Sequence, residues 1–390
     1  MTNHATLTEI EILGLNSKHN FADGHAYHEL HNSQQDIIER LSQLWGASAA
    51  TTVKEAEWRY QRAFWQLAEA PSLNDYPYFR ICPTASNSID IVAAWLAENK
   101  LSVTLLEPTF DNLYLLLKRR GISIASLGET LLHTDEIESA LSAINTDTLF
   151  LVNPNNPTGR VLTVQQFQTI IDCCVKSKKT LLLDNTFRFF TAPEFDYYQL
   201  LIDSGVTFIS IEDTGKVWPT QDMKASLVFY SKDIAKELVL IYEEIYLCVS
   251  NFSLAILTEF LIKTKKYGLQ EIVWSEVKSR RSLFRQAITD TALHIDPVAM
   301  DSQLSVEWIK INAVFSNDYA AMEYFKSKNL ILLPGRNFYW SDPLKIASSK
   351  NLRIALLKPR NNFLQSIHAL RTSLLELHWN FPLCYAKKRE

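Results

Sequence analysis

A series of short runs in this chain is apolar on both alternating faces, and most of them stop on a polar residue. They read LSVTLLE, ending at Glu107; DTLFLVN, to Asn153; TLLLDN, to Asn185; VTFISIED, to Asp213; and SLVFY, to Tyr230. A strand with one face in water alternates apolar and polar residues, whereas a run apolar on both faces needs cover on both. Helical patterns lie between the runs, DNLYLLLKRR and TVQQFQTIIDCCVKSKK. The second opens with Thr163 and Gln166 at the spacing of a capping box. Strand–helix alternation of this kind predicts an α/β fold around a mostly parallel, doubly covered sheet.

The flanks differ. Residues 1–32 carry no sustained apolar period and read as an arm, mobile unless something ties it down. Helical spacing follows over Ser33–Trp45 and Lys54–Glu69. From about residue 250 come a helix, NFSLAILTEFLIK, and a polar helical stretch to Thr289. A mixed ending follows: VEWIKINAVF, LILLPG, LRIALL and a last helix. With 390 residues, 47% of them hydrophobic, the chain can bury a large core. Its 39 basic and 43 acidic residues give a net charge of −4, which speaks against a nucleic-acid partner. The polar start MTNHATLTEIEI and the shortness of every apolar run speak against a secretion signal or a membrane span, so the expected location is the cytoplasm. Five cysteines without metal-ligand spacing read as reduced thiols, and no metal site is expected.

In a doubly wound sheet, ligands bind beyond the carboxyl ends of the strands, so the residues that end these runs are the candidate site. NPNNPTGR, Asn153–Arg160, is a rigid turn with exposed amides, more specific as a whole than any NP or PTG alone. Asp184 ends TLLLDN; a half-buried carboxylate there is either a helix cap or a partner for a cation such as a protonated pyridine. IEDTGKVWPTQDMK carries Lys216 and Lys224, either solvated or, if desolvated, able to form imines with carbonyls. CPTASNS, Cys82–Ser88, is an ordinary cap or a phosphate cradle at a helix N-terminus.

Taken in order, from about Glu55 to Arg353, this set resembles the fold-type I pyridoxal-phosphate (PLP) enzymes of the aspartate-aminotransferase superfamily. The resemblance implies a large domain with a seven-stranded sheet (residues 50–250) and a smaller α+β domain (33–49 and 251–390). It implies roles for matching positions: Lys216 as the Schiff-base lysine, Asp184 beside the pyridine nitrogen, Asn156 beside the 3-hydroxyl, and Thr84, Ala85 and Ser86 around the phosphate. Phe110, in EPTFDN, matches the aromatic that stacks on the ring, and Arg353 the arginine for the substrate α-carboxylate. There are departures. Phe187 replaces a tyrosine, Asp213 a serine, and Lys224 an arginine, which keeps a charge for the phosphate but loses the fork.

IEDTGK-x-WPT-x-D-x-KA, PTFDN, NPTGR and the ADGHA of Ala22–Ala26 are similar to a narrower subgroup. These are the PLP- and O₂-dependent L-arginine oxidases and hydroxylases of the enduracididine and indolmycin pathways. That likeness implies an arm folded over the substrate, with Glu11 and Asp23 meeting a guanidinium and His25 taking part in oxygen chemistry. It implies retention of a small hydroxyl contact at Thr186 and a catalytic place for Asp213. The implied activity is oxidation of L-arginine with O₂ as co-substrate. The product would be a 2-keto acid such as 4,5-dehydro-2-ketoarginine or 4-hydroxy-2-ketoarginine, with ammonia and H₂O₂, made by a homodimer with shared active sites. Two alternatives stay open: a conventional aminotransferase for a basic amino acid, and a non-catalytic binding protein on the same fold.

Overall fold

The computed structural model describes residues 5–380. The arm contributes a helix, Leu7–Leu15, and a two-residue strand, β1 (His19–Asn20). Seven strands then form one sheet: β2 (Phe79–Cys82), β3 (Val103–Glu107), β4 (Ile124–Gly128), β5 (Thr148–Val152), β6 (Thr180–Asp184), β7 (Phe208–Asp213) and β8 (Ser226–Tyr230). Their order is β2-β8-β7-β6-β5-β3-β4. Only β8 runs against its neighbours. Every residue of β3, β5, β6, β7 and β8 is buried, as runs apolar on both faces require. This is the fold-type I α/β architecture expected from the sequence.

A second, antiparallel sheet has the order β12-β13-β10-β9. It is built from β9 (Leu293–Ile295), β10 (Val306–Ile311), β12 (Leu333–Pro334) and β13 (Asn351–Ala355). Just before β12, β11 (Leu330–Ile331) pairs with β1 in parallel.

The carboxyl ends of β5, β6 and β7 lie side by side, with Val152 opposite Asp184 and Asp184 opposite Ile211. The ladder runs one step past the strands: the Asn153 amide donates to the Asp184 carbonyl (2.9 Å) and the Asn185 amide to the Ile211 carbonyl (2.8 Å). The polar residues at these ends are therefore fixed through the backbone.

Two flanking expectations change. The Ser33–Trp45 stretch is not one helix; it splits at Arg40 into Gln35–Glu39 and Leu41–Ala49, where the Arg40 side chain reaches Glu259 (2.6 Å). The arm is not a loose tail. Thr6 and Glu9 close a capping box on its helix. The Phe21 amide donates to the Ile331 carbonyl (2.8 Å), the Ala355 amide to the Phe21 carbonyl (2.8 Å), and the Tyr27 amide to the Leu357 carbonyl (2.9 Å). Cys82, Cys173, Cys174 and Cys248 are free thiols; Cys384 lies outside the described residues. No described helix is long and apolar enough to cross a membrane.

Candidate active site

Beyond the ends of β5–β7 is a cavity of about 220 Å³ whose walls come from both sheets and the arm. Fourteen of the residues singled out from the sequence line it, Phe187 among them. Its floor holds Lys216, Asp184, Thr186, Asp213 and Asn156. One wall carries Thr84, Ala85, Ser86 and Phe110, another Lys224 and His25, and the roof Glu11 and Arg353. Asp23 does not line the cavity; it stands behind His25. Thr8 and Asn112 also line it and were missed. Asn112 lay within the EPTFDN motif, whereas Thr8 is one helical turn from Glu11.

Asp184 is buried and accepts from the Thr186 amide (2.9 Å) and the Thr186 hydroxyl, so the small hydroxyl expected there orients it. Burial pushes its carboxyl above the ordinary range, against the pull of the Thr186 hydrogen bonds. Asp213 is pushed up to about 6 by burial, although Lys216 and Lys224 pull the other way. Its Oδ2 accepts from the Gly215 amide (3.1 Å), but its Oδ1 is buried with no hydrogen-bond partner. Asn156 Oδ1 is likewise buried and unpartnered. Uncompensated buried groups facing one cavity point to a ligand that supplies cations and donors.

The loops that carry these groups are held from behind. In NPNNPTGR, Asn155 donates to the Pro108 carbonyl (2.9 Å) and to Glu129 (2.8 Å), and Thr158 donates to Glu129 (2.6 Å). Gly159 has φ +74°, and a Cβ there would lie 1.9 Å from Ser302 Oγ, so the motif's glycine is obligatory. In the lysine loop, a Cβ on Gly215 would meet Lys224 Cδ at 2.8 Å. Trp218 anchors the same loop, donating Nε1–H to Thr264 (3.0 Å). Beneath β7, Arg188 and Glu212 form a buried fork-to-fork pair (2.6 and 2.9 Å) completed by the Tyr198 hydroxyl (2.7 Å).

Thr84 caps the helix Ala85–Glu98, accepting from the Asn87 amide (3.1 Å), and the free amides of that N-terminus face the cavity wall. An anion is at home there, with Lys224 in the same cavity.

The arm adds a chain of contacts. His25 Nδ1 lies 2.6 Å from Asp23 Oδ1, and Lys224 Nζ lies 2.9 Å from His25 Nε2. A neutral ring with its proton on Nδ1 satisfies both neighbours. The charge of Lys216, then burial, lowers the His25 pKa despite Asp23. For Asp23, burial pushes upward, but the His25 hydrogen bond and the Lys358 charge outweigh it and hold the carboxyl well below its ordinary range. Lys358, which no sequence signal marked, is buried and donates to the Asp23 carbonyl and to its Oδ2 (3.3 Å). On the roof, Arg353 Nη2 donates to Glu11 Oε1 (3.0 Å) and to the Ala22 carbonyl. Its guanidinium lies 5.6 Å from the Phe110 ring centre. Among the described residues, no group of His, Cys, Asp or Glu is arranged to hold a metal.

Comparison with known proteins accounts for this geometry. The sequence pattern of the family "Aminotransferase class I and II" matches residues 77–362. The chain belongs to that family. Its members are PLP enzymes that act on small-molecule amino acid substrates and are usually dimeric. Among solved structures, MppP soaked with the product 2-ketoarginine is 31% identical and superposes with a TM-score of 0.82. That match covers 91% of this chain and 99% of that one. Aspartate aminotransferase from Thermus thermophilus with maleate has the same fold at 12% identity, with a TM-score of 0.78 over 95% of this chain and 97% of its own. The aromatic aminotransferase ISS1 of Arabidopsis thaliana is 22% identical over 250 residues. That stretch is 60% of this chain, and the chain spans about 60% of that relative's length. The chain is thus a fold-type I PLP enzyme close to MppP.

Proposed function

We propose that this aminotransferase-fold chain is an L-arginine oxidase that passes the substrate's electrons to O₂. Its product would be a 2-keto acid, 4-hydroxylated or 4,5-desaturated, released with ammonia and H₂O₂. The observation that carries the reading is the arm: Glu11 and His25 reach into the cavity that holds Lys216, and an aminotransferase cavity roofed by an acid suits a basic substrate. The 31% identity to MppP, whose structure was solved with 2-ketoarginine, supports it.

The residues fit the cofactor. Asp184 is a buried carboxylate whose burial cost a protonated ring nitrogen would offset, and Asn156 and Asp213 carry buried atoms in want of partners. The helix N-terminus at Thr84, Ala85 and Ser86, with Lys224, would hold the phosphate, and Phe110 would cover the ring. When bound, PLP supplies an aldehyde for an amine and a ring that accepts electrons from the α-carbon.

The chain's own groups do the rest. Lys216 would hold the cofactor and then take up the α-proton on its Nζ. Asp184 would pair with a protonated ring nitrogen and keep it so. Asp213 holds negative charge beside Lys216, and Arg353 orients the substrate carboxylate. His25, held by Asp23 with its proton on Nδ1, has Nε2 as the base that would activate water, and the docked arm excludes bulk solvent. One oxidation converts arginine, O₂ and water into 2-ketoarginine, ammonia and H₂O₂. A second O₂ takes two further electrons from the side chain and gives a second H₂O₂. In this reading residues 1–32 are a lid, 50–250 bind the cofactor, and 33–49 with 251–390 form the smaller domain of a cytoplasmic homodimer with shared active sites.

The family match favours one rival, transamination of a basic amino acid. An oxygen electrode separates them: purified holoenzyme is given each of the twenty amino acids without a keto acid. Oxygen uptake with arginine alone is the expected result. No uptake, with turnover only after pyruvate or 2-oxoglutarate is added, overturns the oxidase.

A further inference from the structure

The carboxylate site on the roof is already engaged from within. Arg353 is 1% exposed, and its Nη2 is spent on Glu11 Oε1 (3.0 Å) and the Ala22 carbonyl. Its Nε–H is buried with no hydrogen-bond partner. A carboxylate that grips a guanidinium side-on needs Nε and Nη2 together. One of those donors awaits an acceptor, and the other is held by the chain's own carboxylate.

We infer that Glu11 is a removable internal stand-in for a ligand carboxylate, and that its displacement from Arg353 selects ligands bearing a distal cation. The inference rests on the reading of Arg353 as the carboxylate site. A ligand carboxylate must expel Glu11 from Nη2. Glu11, only 9% exposed, then loses the one ion pair it makes among the described residues; Lys358, the next cation within electrostatic reach, is committed to Asp23, and buried Asp111 adds negative charge. A buried carboxylate without a partner is costly. A ligand that carries its own cation supplies the replacement, so the displaced Glu11 is paired again. A ligand with a carboxylate alone leaves Glu11 stranded, and one with a cation alone leaves Arg353 still held. The ion pair thus works as an exchange lock that only a ligand with both charges completes.

Gly24 flanks this pair: a Cβ there would sit 3.5 Å from Arg353 Nη2, in ordinary contact, so the arm lies directly against the guanidinium.

The test uses holoenzyme and three ligands that lack the reactive amine. They are 5-guanidinovalerate (both charges), hexanoate (carboxylate only) and pentylguanidine (cation only), each titrated by calorimetry. The wild type should bind 5-guanidinovalerate at least about tenfold more tightly than either single-charge ligand. In Glu11→Gln, hexanoate should bind about tenfold more tightly than to the wild type, and the preference for 5-guanidinovalerate over hexanoate should collapse. Glu11→Asp, which keeps the charge, should retain most of that preference. Thermal melting of each variant checks that it is folded. Unchanged or weaker hexanoate binding in Glu11→Gln, with carboxylate binding still lost in Arg353→Gln, overturns the exchange lock and leaves the carboxylate site standing. Carboxylate binding that survives in Arg353→Gln overturns both.

Discussion

The floor of the cavity and the arm above it treat their charges in opposite ways. On the floor, burial drives the carboxyls of Asp184 and Asp213 upward, and two buried acceptor atoms go without partners. On the arm, Asp23 is held well below its ordinary range because His25 and Lys358 already pair with it. The floor is preorganised at an electrostatic cost that a cationic ligand relieves. The arm is satisfied by the protein itself, through contacts that a ligand can exchange. The floor is positioned by backbone ladders and loop locks, the arm by a two-residue strand and ion pairs. Rigid positioning goes with cofactor chemistry, and exchangeable pairing with substrate entry.

The sharpest break is on the floor. Lys216→Ala should lower turnover by about a thousandfold or more, measured under saturating substrate, while circular dichroism stays that of the wild type. Next is the loop that carries Asn156: Gly159→Ala forces a side chain onto Ser302 at a positive φ. It should cost about 3 kcal/mol in denaturant unfolding, and Ser302→Gly in the same chain should recover part of it.

A third test reads the floor's electrostatic cost through pH. The Asp213 carboxyl titrates near 6 in the fold and at the ordinary 3.8 when unfolded. Its charge therefore destabilises the fold above about pH 6 and does nothing below the ordinary value. Asp213→Asn should stabilise the cofactor-free protein by about 2 kcal/mol at pH 7, with the gain fading as pH falls toward 4. Asp23 has the opposite sign: its stabilising pairs are complete above the ordinary carboxyl range and are lost as the pH falls below it. The smallest effect is at the arm's start. Thr6→Ala removes one half of the capping box and should weaken the arm helix by about 1 kcal/mol. Faster amide exchange over Leu7–Leu15, with none in β5–β7, would confirm that the two regions are held independently.

Sequence revealed the floor because its residues sit where local patterns end. A buried strand announces itself by composition, and Asp184 and Asp213 are its last residues. Asn156 and Lys216 belong to turns whose glycines have steric reasons written into the motif. The arm was harder to read. Its helix has little amphipathic period, since its exposed face carries Ile12, Leu13 and Leu15 while its buried face carries Glu11 and Gly14, and the one local signal was the Thr6–Glu9 spacing. β1 has two residues, too few for a pattern. Lys358 gave no sign of its place, because its burial depends on Asp23 arriving from 335 residues away. The break at Arg40 was equally invisible, being tied to Glu259. Where position follows from neighbours in the chain, it could be read; where it follows from distant charge pairing, it could not.

The long reach of those contacts bears on how the molecule is made. Residues of the arm leave the ribosome some three hundred positions ahead of the groups that hold them, with Glu11 and Arg353 separated by 342 residues. Closing so large a loop is slow and comes late. During synthesis the seven-stranded sheet can form with its cavity uncovered, and a cofactor can enter before β11 and β13 exist to receive the arm. A segment translated early thus becomes one of the last to settle, and the order of assembly leaves the cavity accessible to a cofactor meanwhile.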